Sequence, residues 1–120
     1  MNELYSELLL EYYRSPPNKG KIVKPTLCAR DVNVSCGDEI QVQLKISDGK
    51  IVDAKFTGKG CVVSQAAVAM LLENVKGKTL AEVAKMKNED ALALLGIKLT
   101  PMRLNCALLG FNVLKKALAK

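Results

Sequence analysis

The first repeating pattern in the chain is helical. Leu4, Leu8 and Leu9 recur at the spacing of one helix face, and three tyrosines widen the same apolar stripe. This pattern predicts an amphipathic helix over residues 3–14. The segment Ser15-Pro16-Pro17-Asn18-Lys19-Gly20 contains strong helix breakers, so the predicted helix ends there.

A period of two replaces the helical period in the middle of the chain. Apolar and polar residues alternate in three short segments, which predicts strands that each have one buried face. Asp48-Gly49 lies between the second and third segments and is typical of a tight turn. The three strands are therefore predicted to form an antiparallel sheet. The apolar positions are Val32 and Val34 in the first strand, Ile40, Val42, Leu44 and Ile46 in the second, and Val52, Ala54 and Phe56 in the third.

The second half of the chain is predicted to be helical. An apolar stretch without helix breakers runs from Ser64 to Val75 and is typical of a buried helix. Thr79-Leu80-Ala81-Glu82 has the pattern of a capping box, and a further short helix is expected from Asn88 to Gly96. Thr100 and Pro101 are expected to begin the last helix, as its N-cap and first helical residue.

Length and composition are those of one globular domain. The chain has 120 residues, of which 49% are hydrophobic and 25% are charged. No internal repeat or linker divides it, so we expect a single compact domain over residues 1–120. A sheet with one apolar face needs a cover, and the helices of the second half supply it. The predicted fold class is α+β, with a three-stranded antiparallel sheet packed against helices.

Charge and hydropathy indicate where in the cell the protein is located and which classes of partner it lacks. The chain begins with an acidic segment rather than the basic residues of a secretory signal, and its longest apolar run, Ala66 to Leu72, is far shorter than the roughly 20 residues of a membrane span. We expect a cytoplasmic protein without a membrane segment. The net charge is +6, but the lysines are spread along the chain and only three tyrosines and two phenylalanines could stack on bases. We therefore expect no nucleic-acid partner.

The chain has four cysteines and no histidine, which limits the side chains that can bind a metal or act as a base. Cytosolic reductants keep thiols reduced, so metal binding or thiol chemistry is a better interpretation than disulfides. Imidazole can serve neither as a base nor as a ligand in a chain without histidine. Any metal site must therefore use thiolates and carboxylates. No Cys-x-x-Cys pair is present, which argues against a zinc ribbon.

Two of the cysteines lie beside glycines at predicted element boundaries. Cys36 precedes Gly37 and Asp38 between two predicted strands, so the thiol and the carboxylate could share one metal ion. Cys61 follows Gly60 and precedes a predicted helix. Its sulfur should meet free amide groups and the positive end of the helix, which favour a thiolate.

Cys106 lies inside the last predicted helix, with Arg103 one turn earlier to favour its charged form. The alternative interpretation is that these cysteines are buried free thiols that act as small hydrophobic residues. That alternative is strongest for Cys106, because Leu104, Leu108 and Leu109 surround it in the sequence.

Several motifs together resemble one protein family along nearly the whole chain. They are Tyr12-Tyr13-Arg14-Ser15-Pro16 with Asn18-Lys19-Gly20, then Cys36-Gly37-Asp38, Asp53-Ala54-Lys55-Phe56, Gly60-Cys61 and the segment around Cys106. In this order they resemble the U-type iron–sulfur cluster assembly scaffolds, a family that comprises IscU, the N-terminal domain of NifU and SufU.

The resemblance implies a function and a set of ligands. It implies that Cys36, Cys61 and Cys106 carry sulfur and iron, that Asp38 shares the site, and that the protein is a non-enzymatic scaffold. The cargo is a transient iron–sulfur cluster, expected to be of the 2Fe–2S type, with zinc as a candidate for the cluster-free form. A pyridoxal-phosphate cysteine desulfurase supplies the sulfur, and recipient apo-proteins accept the cluster. An Hsp70-type chaperone and a homodimer stay open as further partners.

The chain departs from the family pattern in two places. Many IscU proteins have histidine where this sequence has Asn105, so Asp38 is expected as the fourth ligand, with Asn105, Cys28 or a partner group as open alternatives. Cys28 matches no family position and is expected to be a buried structural residue. SufU-type proteins carry an insertion between the second and third cysteines, and its absence here favours a scaffold over the alternative function, a zinc-binding SufU-like sulfur acceptor that stimulates a cysteine desulfurase.

Overall fold

The computed structural model describes residues 3–34, 37–96, 99 and 101–119. Within these ranges the predicted order of elements and the predicted α+β architecture are confirmed. The elements are α1 (Glu3–Arg14), β1 (Leu27–Asn33), β2 (Asp38–Ser47), β3 (Lys50–Lys59), α2 (Val62–Val75), α3 (Leu80–Ala84), α4 (Asn88–Ala93) and α5 (Pro101–Leu118).

The three strands form an antiparallel sheet in the order β1-β2-β3. β1 begins at Leu27, well before Val32 and Val34, the apolar positions that predicted it, and it ends at Asn33. Val32 pairs with Glu39 on the outer face of the sheet, and Val34 lies beyond the strand and is 87% exposed. The buried residue of β1 is Ala29, which lies opposite Val42. The prediction that the two valines face the core was therefore wrong.

A β-bulge changes which residue of β3 enters the core. The tight turn predicted at Asp48-Gly49 is present, and both residues have positive φ, as a two-residue hairpin turn requires. The register then shifts between Lys45 and Ile46, so that one extra residue stands on β3. The extra residue reverses the side-chain alternation, and Ile51 is buried while Val52 is 54% exposed. The prediction that Val52 faces the core was wrong for this reason.

The core lies between one face of the sheet and helices α2 and α5. Alternate residues of β2 are fully buried against these helices, and α1 packs on α2. No helix within the described ranges combines the length and apolarity that a bilayer crossing requires. The largest fully buried apolar side chains belong to Phe56, Ile40, Leu44, Ile51, Leu72 and Leu114.

Local signals set most of the helix ends. The capping box is confirmed: the Thr79 hydroxyl accepts from the Glu82 amide and the Glu82 carboxylate accepts from the Thr79 amide, both at 3.1 Å. α4 ends at Ala93, three residues before the predicted Gly96. Pro101 is the first residue of α5, as predicted, whereas its predicted N-cap Thr100 lies outside the described residues.

Candidate metal centre

Asp38 supplies a buried carboxylate at the start of β2. Asp38 is only 1% exposed, and in the antiparallel sheet it lies opposite Asn33, the last residue of β1. Burial of a charged group is costly unless hydrogen bonds compensate for lost water. Here the backbone N–H of Cys61 donates to Oδ1 at 2.8 Å. The carboxylate is therefore held against the loop that carries Cys61.

Cys61 occupies the N-cap of α2, next to the helix start where the sequence predicted it. Its sulfur accepts a hydrogen bond from the Ser64 amide at 3.5 Å, and Asp38 Oδ2 lies 4.0 Å from the same sulfur. The residue is half-buried. Unpaired amides at a helix N-terminus favour negative charge, so this position suits a thiolate ligand.

Gly60 allows β3 to close onto Asp38. Its φ is +146°, a conformation that residues with a side chain rarely adopt. A Cβ built there would lie 2.2 Å from Asp38 Oδ1 and 2.9 Å from Asp38 Cα. Any other residue at position 60 would push the carboxylate away from Cys61.

Gly110 allows a similar close approach near Cys106. Cys106 is fully buried on α5, and Gly110 follows it by about one helical turn on the same side of the helix. A Cβ at Gly110 would lie 2.6 Å from Cβ of Val68 on α2. Val68 follows Cys61 along α2 by about two turns, so close packing at the glycine brings Cys106 to Cys61.

The structure brings three of the four predicted site residues together. One carboxylate oxygen of Asp38 and the sulfurs of Cys61 and Cys106 all lie within 4.8 Å of one another. The fourth, Cys36, lies outside the described residues, between Val34 and Gly37. Two soft sulfurs and one oxygen form a donor set that suits zinc or the iron of an iron–sulfur cluster. Metal binding is therefore the chemistry that this arrangement supports.

Cys28 is not part of this group. It pairs with Gln43 on the outer face of the sheet, is half-buried, and accepts a hydrogen bond from Gln41 Nε2 at 3.1 Å. The expectation that Cys28 is buried was wrong, because the register of β1 turns this side chain away from the core. Arg103 and Asn105 are exposed on α5.

Three polar residues of the centre were missed by the sequence analysis. Asn33 Nδ2 lies 3.8 Å from the sulfur of Cys106. Ser64 donates through Oγ to the Cys61 carbonyl at 3.1 Å, and Gln65 Nε2 donates to Ser64 Oγ at 3.2 Å. Gln65 is 5% exposed, and its Oε1 has no hydrogen-bond partner within the described part of the chain. Two adjacent polar residues directly before the apolar run from Ala66 to Leu72 were the available signal for Ser64 and Gln65.

Comparisons with known proteins match nearly the whole chain. Residues 4–120 match the family model described as the NifU-like N terminal domain. A Thermotoga maritima protein named iron–sulfur cluster assembly scaffold protein IscU is 36% identical, over 98% of this chain and 94% of its own length. A Bacillus subtilis protein named zinc-dependent sulfurtransferase SufU is 29% identical, over 100% of this chain and 92% of its own length.

The fold also matches a solved structure. The crystal structure of FiSufU from Fervidobacterium islandicum AW-1, described as an iron–sulfur cluster assembly scaffold for the SUF system, superimposes with a TM-score of 0.81. The two sequences are 31% identical, and the match covers 97% of each chain.

Proposed function

The chain belongs to the family of NifU-like N-terminal domains, and we propose that it is a scaffold on which an iron–sulfur cluster is assembled and from which the cluster is transferred. The observation that carries this proposal is the grouping of Asp38, Cys61 and Cys106 within 4.8 Å. We propose that residues 1–120 form one scaffold domain. In this proposal the cluster is cargo, which the protein holds for a limited time.

The mixed donor set supports transfer rather than permanent storage. Thiolates are soft ligands that bind the iron of clusters well, whereas a carboxylate oxygen is a harder and weaker partner for that iron. Asp38 Oδ1 is engaged by the Cys61 amide, so Oδ2, which faces the Cys61 sulfur, is the oxygen that we propose as ligand. The bond from this oxygen to iron would break first when a recipient protein offers a thiolate.

Cys36 is proposed as the third thiolate. In the sequence it stands two residues before Asp38 and three residues after Asn33, the residue of β1 that pairs with Asp38. The support is this position in the sequence together with the family resemblance. Three thiolates and one carboxylate would complete four ligands.

The proposed role is non-catalytic and requires partners. A pyridoxal-phosphate cysteine desulfurase would break the carbon–sulfur bond of free cysteine and deliver the sulfur, and apo-proteins with vacant cysteine ligands would accept the cluster. We place this exchange in the cytoplasm and take the cargo to be a 2Fe–2S cluster. An Hsp70-type chaperone and a second copy of the chain stay open as partners in release.

The alternative function is a zinc-bound sulfur acceptor that stimulates a desulfurase. The Bacillus subtilis relative favours it, because its name includes both zinc dependence and sulfur transfer. Its alignment extends over 137 positions against the 120 residues of this chain, but that of the Thermotoga maritima scaffold extends over 135. Because both alignments are longer than this chain, alignment length does not distinguish the scaffold from the sulfur acceptor. The metal that the protein binds does distinguish these two functions.

Anaerobic reconstitution tests the proposal. The metal-free protein is incubated with ferrous iron, cysteine and a cysteine desulfurase, and visible absorption, iron and acid-labile sulfide are measured. We expect a brown protein that passes its cluster to an apo-ferredoxin. A protein that stays colourless in this assay, but that binds one zinc ion per chain when zinc is supplied and then accepts sulfur without iron, would support the alternative instead.

Single substitutions assign the ligands. Cys36→Ser, Cys61→Ser and Cys106→Ser should each lower cluster yield sharply, because a serine hydroxyl is a far poorer ligand for cluster iron than a thiolate. Cys28→Ser is the matched control and should keep the cluster. Asp38→Ala should slow transfer to the apo-ferredoxin, since it removes the most easily displaced ligand. Equal cluster yields in all four serine variants would refute the site.

A further inference from the structure

We propose that Asn33 is a positioning residue of the metal centre, whose side-chain amide donates a hydrogen bond to the sulfur of Cys106 and orients that sulfur for metal binding. This inference rests on the proposed function, because it takes Cys106 to be a ligand. It assigns a role to a residue outside the proposed set of ligands.

The sheet register aims Asn33 at the centre. Asn33 is the last residue of β1 and lies directly opposite Asp38, the first residue of β2. Opposite residues of an antiparallel pair project from the same face, with Cβ atoms about 5 Å apart. The amide of Asn33 and the carboxylate of Asp38 therefore enter the same space, where Nδ2 lies 3.8 Å from Cys106 Sγ.

The two sulfurs lie in different surroundings. Cys61 stands at a helix N-cap, where the Ser64 amide is available to its sulfur. Cys106 is fully buried within α5, where backbone amides are already bonded along the helix. A buried thiolate without hydrogen bonds is costly, and a neutral carboxamide can stabilise it without adding a charge. Hydrogen bonds to sulfur also adjust the affinity and the potential of thiolate-bound metals.

Two substitutions separate the hydrogen bond from packing. Asn33→Leu keeps a side chain of similar size and shape but removes the donor, whereas Asn33→Ala removes both. A role in packing alone would be preserved by leucine and lost with alanine. A role as donor would be lost in both. Asn74→Leu makes the same change at an exposed position of α2 and serves as the control.

The test uses cobalt(II) alone as the probe, titrated anaerobically into metal-free protein. Thiolate ligation gives a sulfur-to-cobalt charge-transfer band, and sulfur that loses a hydrogen bond is easier to oxidise. We expect the cobalt affinity of both Asn33 variants to fall at least about 10-fold and the charge-transfer band to move to lower energy. Asn74→Leu should match the unsubstituted protein. Urea unfolding of each metal-free variant verifies that it is folded. If Asn33→Leu does not fold, the band position of Asn33→Ala decides the question, because loss of the hydrogen bond moves the band to lower energy and loss of packing alone leaves it in place.

The outcomes distinguish this inference from the proposed function. An unsubstituted protein without a thiolate-to-cobalt band would refute the metal centre itself. A normal band in the unsubstituted protein, with unchanged affinity and band position in Asn33→Leu, would refute the role of Asn33 and leave the centre intact.

Discussion

Replacing Gly110 with alanine should separate the two cysteines of the centre without unfolding the protein. The added Cβ would lie 2.6 Å from Val68 Cβ and 2.7 Å from Val68 Cγ2. Non-bonded carbons prefer a separation of about 3.5–4.0 Å. Because the Cβ of Val68 is fixed to the backbone of α2, the contact can relax only if α5 withdraws by roughly 1 Å.

The expected cost to folding is modest. Overpacking of a core contact costs about 1–3 kcal/mol. Alanine in place of glycine inside a helix recovers about 0.5–1 kcal/mol of this. The free energy of unfolding should therefore fall by about 0–2.5 kcal/mol, a part of the 5–15 kcal/mol typical of a domain. The variant should still fold.

The effect on metal binding should be larger. A tetrahedral metal with bonds of about 2.3 Å to sulfur holds two thiolates about 3.8 Å apart. One carboxylate oxygen of Asp38 and the sulfurs of Cys61 and Cys106 lie within 4.8 Å of one another, which is near the separation that a shared metal ion requires. Withdrawal of Cys106 would increase this separation, and metal binding would have to reverse the increase. We expect zinc or cobalt affinity to fall at least about tenfold, which corresponds to about 1.4 kcal/mol.

The assay combines metal competition titration with urea unfolding of the metal-free protein. Ala117→Val is the control, because Ala117 is fully buried two turns beyond Gly110 on the same helix. It should lower stability through overpacking but leave metal affinity unchanged. The reasoning would be refuted if Gly110→Ala bound metal as tightly as the unsubstituted protein, or if Ala117→Val weakened binding equally.

Three further changes test the surroundings of the centre. Cys28→Ser should change the free energy of unfolding by less than about 0.5 kcal/mol, because the site is half-buried and Gln41 can donate to the hydroxyl; a loss of several times this in urea denaturation would contradict the outward orientation. Gln65→Met should leave stability unchanged or raise it by about 1 kcal/mol, since it removes Oε1, a buried atom with no hydrogen-bond partner among the described residues; a clear loss by the same assay would mean that the carboxamide is satisfied in solution. The hydrogen bond from the Thr79 backbone holds the pKa of Glu82 below its ordinary value of 4.5. The ionised Glu82 carboxylate therefore stabilises the folded protein fully above pH 4.5, and this stabilisation is lost as the pH falls through the lowered pKa of the folded state. The stability difference between Glu82→Gln and the unsubstituted protein should shrink between neutral and acidic pH, and a difference independent of pH would exclude this effect of the charge.

The amino-acid sequence by itself determined features that depend on a few neighbouring residues. The turn at Asp48-Gly49, the capping box of Thr79 and Glu82 and the start of α5 at Pro101 are local in this sense. Cys61 was predicted next to a helix start for the same reason, because Gly60 and the apolar run after it are adjacent in the chain. The order of the motifs also determined the family resemblance, which the comparisons confirmed.

Only the tertiary structure decided which side chains meet. Because of one β-bulge, Ile51 rather than Val52 lies in the core. The register of β1 turns Cys28 outward. The approach of Cys106 to Cys61 depends on Gly110 meeting Val68, a contact between residues of two helices. Periodicity specifies that a residue lies on one face of its own element, but strand register and helix packing set which faces meet. These depend on contacts between distant parts of the chain, which no local pattern contains.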